Sequence, residues 1–312
     1  MPTIEGYLTT QDGVRLHYRK VGTVPPTVII PNAISLFDDF RTLADGRTLI
    51  FYDLRNRGRS DAVSGVRMLE RGIHHDVEDL EAVREHFGIE EFQAIGFSYL
   101  GMMVILYAMQ YPGRISRAVQ LGPIQPDPAK SYPATLTNDD GVLREVVQLM
   151  RARADETARE VYRAIGPSIR RMFVAHAVNV HKLDHWDFAD IPNEVGAMKH
   201  WLENIEPSIR RLQLTPADFE RVRIPVLTIH GRLDRNAPYG GGREWALVLP
   251  DARLETIEHA AHASWVDAPE RVFSAIRTFL GGDWPATAEK VTSLESDGVH
   301  AAPIAAGRTP RT

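Results

Sequence analysis

A short apolar run, Phe92-Gln93-Ala94-Ile95-Gly96-Phe97, passes at Ser98 into a second apolar run of helical length, Tyr99 to Tyr107. This junction constrains the chain more than any other stretch. A strand that becomes a helix within one residue needs a sharp turn with little bulk beside it, and Gly96 stands two positions before the join. A serine at such a turn is the setting of a nucleophile elbow, because its hydroxyl stands clear of the sheet. The helix that follows aims its first N–H groups at negative charge developing there. The usual pattern is G-x-S-x-G; here Leu100 takes the last glycine position and Gly101 comes one residue late.

Around this centre, strands and helices alternate. Residues 4–22 read as two strands joined by the D-G turn Gln11-Asp12-Gly13. Val28-Ile29-Ile30 is a strand closed by Pro31-Asn32, and Thr48-Leu49-Ile50-Phe51-Tyr52 another, followed by the polar loop Asp53 to Ser60. From Ile73, the apolar positions Val77, Leu80, Val83 and Phe87 follow helical spacing up to Gly88. The helix after Ser98 is apolar almost all round, which predicts burial. Ile115 to Leu121 gives a further strand. This alternation predicts a mostly parallel sheet covered on both faces.

The rhythm breaks between about 123 and 218. Leu143, Val146, Val147 and Met150 mark one helix there, and Ile169, Met172 and Phe173 another. A third is expected from Pro192 through Val195, Met198, Leu202 and Ile205. Alternation then resumes: Thr215-Pro216 caps a short helix, and Ile224 to Gly231 forms a strand. A helix around Gly242–Leu249, the strand Arg253–Ile257 and the helix Pro269–Leu280 follow. The expected organisation is a core of residues 1–122 and 219–282, a helical insertion over 123–218, and a disordered tail over 283–312.

Composition removes several functions. The net charge of −5 with no basic stripe speaks against nucleic acid as a partner. There are no cysteines, hence no disulfide, thiolate metal site or cysteine nucleophile. No apolar run is long enough to span a bilayer, and Met1 to Gly6 lacks a signal pattern, so the expected location is cytoplasmic. His176, His181, Asp184, His185, Asp187 and Asp190 cluster in the insertion, but no second ligand pair accompanies them, and no metal or cofactor is expected.

Serine alone is a poor nucleophile at neutral pH; it needs a base, and the base needs an orienting acid. Asp234, in His230-Gly231-Arg232-Leu233-Asp234, follows a predicted strand and can serve as the acid. His262, just past the last strand, can serve as the base. All three residues fall at carboxyl ends of strands, and the order Ser98, Asp234, His262 agrees with the elbow motif.

With these landmarks the chain resembles the α/β-hydrolase family over roughly residues 4–282. The resemblance rests on Gly96-Phe97-Ser98, on Tyr52-Asp53-Leu54-Arg55-Asn56-Arg57-Gly58-Arg59-Ser60-Asp61, on His230 to Asp234, and on His262 followed by Trp265, Asp267 and Pro269. Within the family the chain looks most like the branch of proline iminopeptidases and small-molecule esterases. The resemblance implies a cofactor-free serine hydrolase whose insertion, 123–218, is a lid over the site. It also implies an oxyanion hole after the third strand, where the family commonly has His-Gly and this chain has Pro31-Asn32-Ala33-Ile34. Asn32 tolerates a left-handed backbone, so the expected donors are the N–H groups of Ala33 and Tyr99, with Ile34 in reserve.

The rivals are His259 for the base and Asp127 for the acid; position and motif favour His262 and Asp234. Arg55, Arg57 and Arg59 are expected to pair with nearby carboxylates around a structural loop. The expected reaction is hydrolysis of a carboxylic ester or amide of a small molecule. Aminopeptidase, C–C bond hydrolase, thioesterase and perhydrolase chemistry are alternatives on the same residues. A ligand-binding protein that kept the fold without the chemistry is the non-enzymatic alternative. The run Asp184, Asp187 and Asp190 would favour the aminopeptidase if it held a substrate amine.

Overall fold

The computed structural model describes residues 2–64, 69–128, 130, 132, 141–153, 156–191, 193 and 197–294. Its strands are β1 (Thr3–Thr9), β2 (Arg15–Val21), β3 (Thr27–Pro31), β4 (Thr48–Tyr52), β5 (Phe92–Phe97), β6 (Ile115–Leu121), β7 (Val226–Gly231) and β8 (Ala252–Ile257). They form one 8-stranded sheet in the order β1-β2-β4-β3-β5-β6-β7-β8. The pairs β1–β2 and β2–β4 are antiparallel, and all later neighbours are parallel. Every residue of β4 and β5 is buried, the signature of strands covered on both faces.

Two apolar layers do the covering. On one face α2 (Ile73–His86) and α3 (Tyr99–Gln110) contribute Val77, Leu80, Met103 and Ile105. On the other, α1 (Ala33–Phe40) supplies Leu36, Phe37 and Phe40 beside Trp265 and Phe279. α3 is buried from Tyr99 to Met109, as its all-round apolar sequence requires. Strand order reverses between β3 and β5. At such a switch point, ligands enter the crevice outside the carboxyl ends of the strands.

Between β6 and β7 the described residues form no strand. They make α4 (Gly141–Ala152), α5 (Ala158–Arg171), a 3₁₀ stretch Ala177–Trp186, a helical run from Ala197 to Arg210 with a π-turn at Trp201–Ile205, and α6 (Pro216–Phe219). Thr157 and Glu160 form a reciprocal cap on α5. The expected helix start at Pro192 and its position Val195 lie outside the described residues. After β7 come α7 (Tyr239–Val248), then α8 (Ser264–Asp267) and α9 (Pro269–Leu280) behind β8. No helix among the described residues is long and apolar enough to cross a membrane.

Three expectations are corrected. Where no helix is expected between Asn32 and the strand at Thr48, α1 begins at Ala33, its apolar positions spaced for one buried face. α7 starts about one turn before the expected Gly242. Residues 283–294 are not a disordered tail: Trp284 packs on Phe279 at 4.9 Å, and Glu289 pairs with Leu254. The edge of β8 offers unpaired backbone groups, and this segment satisfies one pair of them. Residues 295–312 lie outside the described range.

Candidate active site

Ser98 joins β5 to α3 with φ 59° and ψ −131°, a conformation that costs a non-glycine residue about 1–3 kcal/mol. The turn is held where it is by packing. A Cβ on Gly96 would stand 2.3 Å from the Leu100 carbonyl oxygen, so only glycine lets the first turn of α3 sit against β5. The approach at Gly101 is looser: a Cβ there would meet Pro123 at 3.1 Å and Gln120 of β6 at 3.4 Å, and Gln120 donates to the Gly101 carbonyl at 3.1 Å.

Asp234 and His262 come together as the sequence predicts. His262 Nδ1 lies 2.7 Å from Asp234 Oδ2, with both side chains buried. An N–H facing a carboxylate places the ring proton on Nδ1 and leaves Nε2 as a proton acceptor. Burial works against ionisation of Asp234. The positive charge His262 can carry, with hydrogen bonds from His230 and His262, outweighs it and holds the carboxyl well below the usual range. Asn236 and Ala237 donate their N–H groups to Oδ1 at 2.9 and 3.0 Å. The imidazole of His262 rests 4.7 Å from the ring of Phe97, the residue before Ser98. Among the described residues Ser98 Oγ makes no hydrogen bond, and in unliganded sites such contacts often close only with substrate.

The rivals sit elsewhere. His259 and Asp127 are exposed. An acid–base pair buried at the carboxyl ends of β7 and β8, beside a strained serine after β5, is the arrangement the family resemblance implied. A family model described as the alpha/beta hydrolase fold matches residues 37–269. The chain belongs to this family. It is 28% identical over 280 residues to a non-heme chloroperoxidase of Streptomyces lividans, covering 85% of this chain and 95% of that protein. It is 23% identical over 287 residues to a bifunctional esterase/perhydrolase of Acinetobacter calcoaceticus, covering 88% and 99%. An esterase structure from Exiguobacterium antarcticum superposes with TM-score 0.66 at 16% identity, over 89% of this chain and 100% of that one. The protein is an α/β-hydrolase enzyme.

In this α/β-hydrolase the turn after β3 leads directly into α1. Asn32 has φ 72° and ψ 54°, the left-handed conformation expected of it, and Ala33 opens α1. Tyr99 opens α3 across the switch point; a helix's first N–H groups have no intrahelical acceptor. The reserve donor is committed elsewhere: Ile34 N–H donates to Asp53 Oδ1 at 2.7 Å. Asp53 is buried inside its own loop, where Arg59 N–H donates to Oδ2 at 3.0 Å and Gly58, at φ 50°, gives it room. Arg55 pairs with Asp79 at 2.6 Å and Asp12 at 2.9 Å, as expected. Arg57 lies over the Tyr99 ring at 5.8 Å.

The insertion docks on the His262 loop. Ala263 N–H donates to the Phe173 carbonyl at 2.8 Å, and Asp267 accepts from Ala175 N–H and Ala261 N–H at 2.9 and 3.0 Å. Phe173 lies 5.4 Å from His262 and 5.2 Å from Trp186. Trp265 packs on Phe97 at 4.8 Å and donates to Asp39 at 2.8 Å, which explains its place in the motif. Two histidines of the insertion have protein partners: His181 Nδ1 meets the Val178 carbonyl, and His185 pairs with Asp39 of α1. Among the described residues no group of three or more His, Cys, Asp or Glu side chains could hold a metal.

Sequence reasoning missed two contributors. Gly122, at φ 48°, follows β6, and a Cβ there would stand 3.1 Å from His262 Nδ1 and 3.2 Å from Asp234 Oδ2. A glycine directly after a strand was the available signal. His230, quoted only as part of a motif, is fully buried with Nε2 3.2 Å from Asp234 Oδ2.

Proposed function

We propose that this α/β-hydrolase is a serine hydrolase that cleaves a carboxylic ester of a small, apolar acid through an acyl-enzyme. The observation that carries the reading is the buried His262–Asp234 pair, 2.7 Å apart, beside the strained turn at Ser98. Ser98 Oγ attacks the acyl carbon while His262 Nε2 takes its proton, and Asp234 holds the imidazole in the tautomer that leaves Nε2 bare. Negative charge on the carbonyl oxygen meets the N–H groups of Ala33 and Tyr99. The tetrahedral intermediate collapses, the His262 proton passes to the departing alcohol, and the acyl group stays on Ser98. Water then attacks that ester with His262 again as base, releasing the acid and restoring the serine.

Residues 123–218 act as the lid. Phe173 and Trp186 bring aromatic surface to the His262 side, which favours an apolar acyl or alkoxy group and excludes water. The acidic run supports no amine site. Asp184 and Asp190 are exposed and face Arg170, and Arg159 with Arg163, while Asp187 is also exposed. This favours the esterase over the aminopeptidase. Aryl esters of short acids should be hydrolysed with kcat/KM at least about a hundredfold above matched aminoacyl anilides. A preference for the aminoacyl anilides would overturn the substrate reading.

A further inference from the structure

We propose that His230 is a positioning residue for the reaction: its Nε2–H shares Asp234 Oδ2 with His262 and so fixes the carboxylate that orients the base. The inference rests on the serine-hydrolase reading above.

The geometry allows one tautomer. His230 Nε2 faces two acceptors, the Ala237 carbonyl at 2.8 Å and Asp234 Oδ2 at 3.2 Å, so it carries the proton. Nδ1 is buried with no hydrogen-bond partner among the described residues. It lies against the backbone of α7, where a Cβ on Gly242 would come within 2.0 Å of it. From α7 the ring also meets Tyr239 at 5.9 Å, whose hydroxyl pairs with Thr256 at 2.7 Å. From its own strand end it meets Asp234.

Oδ1 of Asp234 takes the N–H groups of Asn236 and Ala237, while Oδ2 takes His262 at 2.7 Å and lies 3.2 Å from His230 Nε2, whose proton is shared with the Ala237 carbonyl. Without His230, Oδ2 would be held by His262 alone, the ring that the carboxylate orients. His230 Nε2, 3.2 Å away, gives Oδ2 a hold independent of the base. It also draws negative charge from Oδ2, which moderates the pull of Asp234 on an imidazolium.

These two effects give the test its sign. If His230 only closed the 234–237 loop through Ala237, its loss would displace Asp234 and weaken the pull on the protonated base. The acid limb of the kcat/KM profile would then move to lower pH. If His230 shares Oδ2, its loss concentrates charge there and the limb moves to higher pH. In His230→Leu we expect kcat to fall about tenfold with KM unchanged, and the acid limb to rise by about half a pH unit. His230→Gln, whose amide nitrogen reaches about where Nε2 sits, should restore both. A limb that stays in place or moves down in folded His230→Leu overturns the proposal. Should that variant fail to fold, ¹⁵N spectra of the parent enzyme's imidazoles decide instead. A proton on His230 Nε2 whose resonance shifts in Asp234→Asn supports the assignment, whereas a proton on Nδ1, or an Nε2–H resonance that Asp234→Asn leaves in place, overturns it. Failure of the serine-hydrolase reading is a separate result, full turnover in Ser98→Ala, which leaves the tautomer measurement unaffected.

Discussion

Two buried carboxylates lie close to the Ser98 turn, Asp234 at the end of β7 and Asp76 in the first turn of α2, and the molecule treats them oppositely. Both are 1% exposed. Asp234 receives two backbone N–H groups and the His262 imidazole, with His230 Nε2 3.2 Å away, and is held ionised against its burial. Asp76 receives the Tyr99 hydroxyl at 3.2 Å and sits near Asp79. Burial and the charge on Asp79 push it up to about 7, against the opposing pull of Arg57, Arg55 and Tyr99. Equal burial thus gives a permanent anion in one place and a proton carrier in the other. The number of donors decides, because a charge removed from water must find its solvation in the protein. Of these two regions, the one around Asp234 is built to hold charge beside a base.

The comparison breaks most readily on Asp234 itself. Asp234→Asn should lower kcat about 10⁴-fold, since the wrong imidazole tautomer would then be favoured. Asp127→Asn should leave kcat unchanged. Steady-state rates on one ester decide between them, and loss in Asp127→Asn alone would move the acid to the rival position.

Asp76 sharpens the contrast through stability. Its folded value lies above the ordinary 3.8, so between about pH 4 and 7 the folded state binds more protons than the unfolded one, and stability falls as pH rises through that window. Above pH 7 the cost reaches about 4 kcal/mol, the order expected for a shift of this size. Asp76→Asn should unfold at the parent's temperature at pH 4 and at a higher one at pH 8. Coincident curves at both pH values would mean that Asp76 is solvated after all.

A smaller effect is expected at Gly122, where an added methyl would crowd both members of the Asp234–His262 pair. Gly122→Ala should cost about 1–2 kcal/mol through its positive φ, and up to about a hundredfold in kcat. The smallest effect belongs to carboxylates in water. Replacing Asp184, Asp187 and Asp190 together by Asn should change kcat/KM for neutral and aminoacyl substrates equally, because exposed ion pairs contribute about 0–1 kcal/mol. A selective rise in KM for the aminoacyl substrate would restore the amine site.

Much of this was legible in the residue string. β4 was read to the residue, because its β-branched and aromatic run makes a strand. α9 was read to the residue too, because proline opens it and glycines follow it. Ser98, Asp234 and His262 were legible as residues because each follows a strand, and strand ends are marked in sequence by Gly, Pro and charge. What escaped depends on distance in space. α1 has two turns and starts from a left-handed Asn32 with no side-chain cap, so no stop-and-start signal announces it. Residues 283–294 are mostly small or polar, with no period that announces an element, yet Ala288 and Val291 are buried. Gly122 approaches Asp234 and His262 from more than a hundred residues away, marked only by a glycine after a strand, and the turn that brings Asp234 and Ala237 back onto His230 within seven residues has no pattern of its own in the sequence.

The central claim is that Ser98 attacks an acyl group with His262 and Asp234 behind it. A fluorophosphonate probe followed by peptide mass spectrometry tests it most directly, because the probe captures only an activated serine. The account predicts one adduct, on Ser98, absent in Ser98→Ala and slowed by orders of magnitude in His262→Ala. An unlabelled Ser98 in folded protein, or labelling that survives unchanged in His262→Ala, would contradict it.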